Sequence, residues 1–270
     1  MSTNKLVRPG QQQSVAFLAS CALVSALTSI CLLPTTSSAQ ELGTTKQSIT
    51  VHNNCNKDQR SRMERAITVA QTAVVAASHE VRENSPFYRT WFGQWTPGNG
   101  EVVRYYLGRT REAWDGLELR CGGGRCDNKK DPPNAFYQPR GPLPSRFTVC
   151  HAWHSLPPLS VEAWSNRAGV IVHEVTHGVG LPGTIDVKDL GSCVGKGDKC
   201  YGAENARKLA RDPTCKGGKD VSFLHYDPAL KRVRLFKTSE TCKALYNAEN
   251  YEHFVSDVLI NYLLVAVSTP

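Results

Sequence analysis

The stretch SNRAGVIVHEVTHGVGLPGTID, residues 165–186, decides how this chain is read. Ser165 stands at an N-cap position, an apolar run follows it, and Gly180 and Pro182 stop the run. The pattern therefore predicts a helix from Ser165 to Gly178. Inside it, His173 and His177 are four residues apart, which sets both imidazoles on one face, one turn from each other, where they can share a metal ion. Glu174 sits about 100° round the helix, placed to reach a metal-bound water without itself being a ligand. With 8 His and 13 Glu in 270 residues, chance alone writes HExxH into about 1% of chains of this composition.

Outward from that helix, the chain reads as one α+β domain, mainly helical with a small antiparallel sheet and stabilised by disulfides. Residues 57–82 form an amphipathic helix, because Met63, Ile67, Ala70, Val74, Ala77 and Val81 recur in steps of four and three until Ser85-Pro86 breaks the pattern. A weaker helical segment spans Glu101 to Trp114. From Gly116 to His151 the composition turns to Gly, Pro and short β-prone pieces, LELRC and SRFTVC among them, which suit a small disulfide-clamped sheet. His151 and His154 lie just beyond; a capped strand explains them better than a second metal site. Helices are expected again over Ala203–Ala210 and from Ala248 to Val267, with 212–243 polar, basic and irregular between them. Asp257 and Asn261 interrupt the last apolar run, so it reads as packed core rather than a membrane span.

At the other end, residues 14–33 carry no charge, Lys5 and Arg8 precede them, and Ser37 and Ala39 are small residues at the −3 and −1 positions of a cleavage site. This is the pattern of a signal peptide over residues 1–39, followed by a short polar spacer at 40–50 and a domain at 51–270. Two rivals remain: a retained signal anchor, and a bacterial lipid anchor, since Leu18-Ala19-Ser20-Cys21 resembles a lipobox. Cleavage after Ala39 removes Lys5, Arg8, Cys21 and Cys31, lowering the net charge from +8 to +6 and the cysteines from ten to eight. An even number of cysteines in an exported chain indicates disulfides, although eight allow 105 connectivities. No CxxC pair is present to suggest a thiolate zinc cluster. The composition, 40% hydrophobic and 21% charged, excludes disordered, collagen-like and coiled-coil chains. Export argues against nucleic acid as the partner of the positive charge, and the expected chain is a monomer with no stable membrane insertion after cleavage.

The third ligand decides the class of site, since a catalytic zinc usually takes three protein ligands and a water. A metzincin would place His at position 183, but Gly183 stands there. A gluzincin-like site would take a Glu from a later helix, for which Glu204 is the candidate. The remaining option is Asp186, nine residues after His177, in a turn able to fold back towards the pair.

HEVTH followed by GTID resembles the aspzincins, the deuterolysin and peptidyl-Lys metalloendopeptidase family, whose pattern is HExxH and then GTxDxxYG. Arg89-Thr90-Trp91-Phe92-Gly93, Tyr201-Gly202 with Leu209-Ala210, and the segment Asn247 to Phe254 agree with it, in the family's order, over nearly all of residues 52–256. The resemblance implies a zincin-like domain with one zinc ion on His173, His177 and Asp186, and a water in the fourth position. It implies that Glu174 takes the water's proton while the activated water attacks a peptide bond, and that Tyr201 stabilises the oxyanion. Glu249 and Glu252 would line the pocket for the residue after the scissile bond and select lysine there by charge pairing. Substrates are then proteins or peptides. Disulfides Cys55–Cys121 and Cys126–Cys150 are implied in the same way.

The chain departs from the family's pattern twice. Asp189 stands where the family has Tyr, and Tyr201-Gly202 comes only after about twelve further residues. Cys193 and Cys200 are expected to close that insertion, near 189–200, so that Tyr201 returns to the site. A second insertion, 216–241, is flanked by Cys215 and Cys242, which are expected to bridge its base. Two other functions stay open: a gluzincin-like peptidase using Glu204, and an exported binding or effector protein whose zinc is structural.

Overall fold

The computed structural model describes residues 49–52, 54–128, 133–140, 143–160, 165–179, 183–186, 201–212, 215, 224–227, 232–235 and 242–268. The expected signal peptide lies outside these residues, as do Cys193, Cys200 and most of both insertions. Residues Thr45–Tyr262 form one compact unit, and Leu263–Pro270 belong to a second. The first holds the strands and the candidate site. Of the second, the described residues Leu263–Ser268 are the last turns of the C-terminal helix, where Leu264, Val265 and Val267 are exposed.

Local chemistry starts each helix. Helix α1 (Lys57–His79) begins at a capping box, in which Asn56 Oδ1 accepts from Gln59 N and Gln59 Oε1 accepts from Asn56 N, both at 2.9 Å. Its buried residues include Met63, Ile67, Ala70, Val74 and Ala77, the face expected from their spacing. Helix α2 (Pro86–Phe92) uses Ser85 as cap and Pro86 at its first position. Helix α3 (Pro97–Glu112) starts one turn earlier than the sequence suggests. Gly98 and Gly100 are poor helix formers, but the Trp95 ring packs where a Cβ on Gly100 would stand, 2.2 Å away, and Thr96 caps the new end.

Strands β1 (Thr50–Val51), β2 (Glu118–Cys121), β3 (Ala135–Arg140) and β4 (Leu143–Val149) form one sheet in the order β1-β2-β4-β3. The sheet is mixed, where an antiparallel one is expected. Only the β3–β4 hairpin is antiparallel; β1 with β2 and β2 with β4 are parallel. Parallel pairs need long crossovers, and the one between β1 and β2 carries α1, α2 and α3. Such pairing leaves no local mark in a sequence, whereas a hairpin does. After β4, His151–Ser155 is a single 3-10 turn rather than a capped strand, because Trp153 turns inward and donates Nε1–H to the Arg167 carbonyl at 3.3 Å.

Helix α4 (Arg167–Val179) packs against α1, α3 and β3. Its cap is Asn166, whose Oδ1 accepts from Gly169 N at 2.7 Å, so the expected N-cap Ser165 is free for another use. Helix α5 (Ala203–Ala210) follows, then β5 (Leu224–Asp227) and β6 (Arg232–Leu235), and finally α6 (Ala248–Ser268). The β5–β6 pair is an antiparallel hairpin inside a segment whose composition reads as irregular. No helix among the described residues is long and apolar enough to cross a membrane.

Three disulfides join described cysteines, Cys55–Cys121, Cys126–Cys150 and Cys215–Cys242. The last closes a span of 27 residues between two buried sulfurs. Constraining a loop of that size in the unfolded chain is worth about 3.5 kcal/mol. Replacing both cysteines by Ser should lower the melting temperature by about 7–14 °C for a domain of this size. A fall of less than about 2 °C in a thermal melt would show the bridge to be dispensable.

Candidate metal centre

Helix α4 carries His173 and His177 one turn apart, with ring centroids separated by 4.9 Å and the rings edge to face. Asp186 reaches them because the chain after α4 doubles back tightly. Thr184 N donates to the Thr176 carbonyl at 3.1 Å, and the two threonine hydroxyls lie 2.8 Å apart. The turn requires glycine at 183, where a Cβ would stand 1.8 Å from the His177 carbonyl oxygen. On the far side, Ile185 N donates to the Tyr246 carbonyl at 2.7 Å and Ala248 N to the Ile185 carbonyl at 3.1 Å. Asp186 is therefore fixed between the end of α4 and the start of α6.

Asp186 Oδ1 lies 3.2 Å from His173 Nε2 and 3.2 Å from His177 Nε2. One ligand atom from each residue falls within 4.8 Å of the others, the one such group of three among the described residues. Zinc bonds of about 2.0–2.2 Å in a tetrahedron put neighbouring ligand atoms about 3.3 Å apart, so the donor set fits zinc in type and spacing. The ring tautomers fit as well. His177 Nδ1 lies 2.7 Å from the Thr184 carbonyl, which can only accept, so Nδ1 carries the proton and the Nε2 lone pair faces Asp186. Burial alone would raise the Asp186 carboxyl, but its contacts with both imidazoles outweigh this and hold it well below the usual carboxylate range. His173 shows the counterpart: burial lowers it, while Asp186 and Glu252 drive it well above its ordinary value.

Glu174 is half-buried on the next position of α4, and its carboxyl is raised, first by burial and then by Asp186 and Glu252, against the opposing pull of the two imidazoles. Tyr201 returns to the site across the insertion and donates its hydroxyl to Asp186 Oδ2 at 3.1 Å. Glu249 and Glu252 both lie near the site but inside the protein, 2% and 3% exposed. Burial, with Asp186 and Glu252 adding to it, pushes the Glu249 carboxyl up to about 7. Glu252 Oε1 accepts from Ser165 Oγ at 2.6 Å, and its Oε2 lies 3.2 Å from His173 Nδ1.

Glu204 is not brought in. Its side chain is 84% exposed on α5 and pairs with Lys208 Nζ at 3.0 Å, so the gluzincin-like arrangement has no third ligand there. Among the described residues His154 belongs to no group that could hold a metal. Burial and the charges of Arg62, His151 and Arg167 keep its ring below its ordinary value, and Arg62 donates to its carbonyl. Sequence reasoning missed Thr176, Thr184 and Asn166, which hold the turn and the helix start. Thr176 and Thr184 stand inside the motif itself and offered a signal; the pairing of Ser165 with Glu252 offered none, since 87 residues separate them.

No family model matches the chain. It is 25% identical over 215 residues to an extracellular protease of Aeromonas hydrophila, a match that covers 78% of this chain and 48% of that protein. The chain thus spans about half the length of the curated relative it matches. Among solved structures it is similar to a zinc peptidase from Grifola frondosa, with a TM-score of 0.50 and 20% identity, covering 75% of this chain and 97% of that one. That likeness establishes the fold. In motif and in fold alike, the chain resembles the aspzincins.

Proposed function

We propose that this chain is a secreted zinc metalloendopeptidase of the aspzincin type, built as one peptidase domain over 51–270 and holding one zinc ion on His173, His177 and Asp186. One observation carries the reading: each of two imidazole nitrogens stands 3.2 Å from the same carboxylate oxygen, close to the edge length of a zinc tetrahedron, beside a carboxylate, Glu174, that is not part of the set. When bound, zinc supplies Lewis acidity towards a peptide carbonyl and lowers the pKa of water towards about 7. Glu174 takes a proton from the attacking water and passes it to the amine nitrogen of the broken peptide bond, leaving an acid and an amine. Burial raises its carboxyl above the ordinary carboxylate range, in the direction that favours accepting a proton. The Tyr201 hydroxyl, which donates to Asp186 at the site, is the group that would donate to the oxyanion developing on the peptide carbonyl. The three disulfides and the leader pattern of residues 1–39 support export.

Preference for lysine after the scissile bond would draw on Glu249 and Glu252, two buried carboxyls one turn apart at the start of α6. A carboxyl held near neutral by burial becomes a full anion when an ammonium group arrives. Digestion of a denatured protein mixture, with the new N-termini mapped, tests both levels of the proposal. The expected result is chelator-sensitive cleavage by a preparation containing one zinc per chain, with lysine enriched at the new N-termini. Activity that survives zinc removal would end the zinc reading, and unenriched N-termini would end the lysine preference alone.

A further inference from the structure

We propose that Arg62, Arg65, His151, His154 and Arg167 form a binding site for a tetrahedral oxyanion, a phosphate or sulfate group, separate from the metal centre and independent of the zinc reading above.

Three elements meet there. Arg62 and Arg65 stand three residues apart on α1, His151 and His154 lie on the 3-10 turn after β4, and Arg167 opens α4. Arg62 Nη1 donates to the His154 carbonyl at 3.2 Å, and Trp153 of the same turn donates to the Arg167 carbonyl at 3.3 Å. Electrostatics reports the same proximity. After burial, the charges of Arg62 and Arg65 lower the Arg167 guanidinium, and those of Arg62, His151 and Arg167 lower the His154 ring.

No carboxylate offsets this charge. Asp58 and Glu64 share α1 with the two arginines, yet among the described residues neither they nor any other acid forms an ion pair with the five. Arg65 gives one N–H to the Ser61 hydroxyl. Arg167 Nε and His154 Nδ1 are buried without a hydrogen-bond partner among the described residues, a costly state unless a ligand supplies the partner. The cluster opens to solvent at Arg62, Arg65 and His151, which are exposed, while Arg167 and His154 are half-buried.

The donors select the ligand. Backbone N–H groups at the start of α4 are already used: Arg167 N by the Pro157 carbonyl at 2.8 Å, Ala168 N by the Pro158 carbonyl at 3.3 Å and Gly169 N by Asn166. Binding therefore falls to the side chains, with the positive end of the helix dipole adding to them. A carboxylate offers two oxygens and one charge, which a single guanidinium fork satisfies. Three forks beside two imidazoles suit a group with three free oxygens, whose geometry guanidinium matches. Arg167 precedes His173 by six residues, about 9 Å along α4 and about 120° round it, so an anion held there leaves the zinc ligands untouched.

Titration calorimetry with sodium sulfate, and with sodium acetate at matched ionic strength, tests the site; a sulfated tetrasaccharide forms a further arm. Wild type should bind sulfate more tightly than acetate. Arg62→Gln combined with Arg65→Gln should weaken sulfate binding by about 10-fold or more, the worth of one charge-assisted hydrogen bond, while peptide hydrolysis stays at the wild-type rate. Arg167→Gln should weaken it as well; should that variant not fold, the two exposed positions carry the test. Arg109→Gln combined with Arg111→Gln removes equal charge from α3 and should keep wild-type affinity. Tighter binding of the tetrasaccharide than of sulfate, lost in the α1 variant, supports the site and identifies an ester-bearing chain as the source; equal affinity supports it with the free anion as ligand. Acetate bound as well as sulfate, equal losses in the α1 and α3 variants, or a wild-type chain that binds neither sulfate nor the tetrasaccharide overturns the proposal.

Discussion

Replacing Glu174 by Gln should leave zinc binding intact and reduce kcat/KM for a peptide substrate by about 10²–10⁴-fold, the usual weight of a general acid–base group. The two halves of that result come from where Glu174 stands. It follows His173 on α4 but turns about 100° away from the face shared by His173 and His177, and it is not among the three residues whose donor atoms converge. Gln keeps the shape and the helix but cannot accept a proton near neutral pH. Burial raises the Glu174 carboxyl, which brings its proton affinity closer to that of the water it must deprotonate. Zinc content per chain and steady-state hydrolysis of a peptide, measured on the same preparation, check both halves. A variant with full zinc and more than a tenth of wild-type activity would remove Glu174 from the chemistry. The same variant separates an enzyme from an exported binding protein: a binding protein keeps its biological effect when Glu174 is changed.

What the sequence disclosed follows the range of the interactions involved. The α4 motif was legible because its meaning is local: four residues of spacing fix the two imidazoles, and nine more bring Asp186 within reach of a turn that only Gly183 permits. The buried face of α1 was legible for the same reason, one periodicity repeated over six turns. The expected antiparallel sheet was half right, since the β3–β4 hairpin is local while the parallel pairings of β1, β2 and β4 arise across α1, α2 and α3. Ser165 looked like a cap because it precedes an apolar run; Asn166 takes that role, and Ser165 donates to Glu252 on α6. The surroundings of Glu252 carry no such local mark, since no pattern along the chain says that it lies beside a histidine on another helix.

The remaining large effect concerns the third ligand. Asp186→Asn should weaken zinc binding by more than the about 10–100-fold that losing an outer-shell partner costs, and should bring peptidase activity down with it. An amide oxygen carries no formal charge, so the exchange removes the one anionic donor from a set that otherwise consists of two neutral imidazoles. The fold should survive, because the backbone around position 186 is held through Thr184 and Ile185 rather than through the carboxylate. Glu204→Gln supplies the contrast. It removes only an exposed pair with Lys208, an interaction worth about 0–1 kcal/mol at most surfaces, so zinc content and activity should match the wild type. The opposite pattern, zinc lost with Gln at 204 and kept with Asn at 186, would mean that the turn at Gly183 opens in solution and that α5, not the GTID segment, completes the site. Zinc titrations of the two variants side by side distinguish these outcomes, since each arrangement leaves one of the two carboxylates with no part in holding the ion.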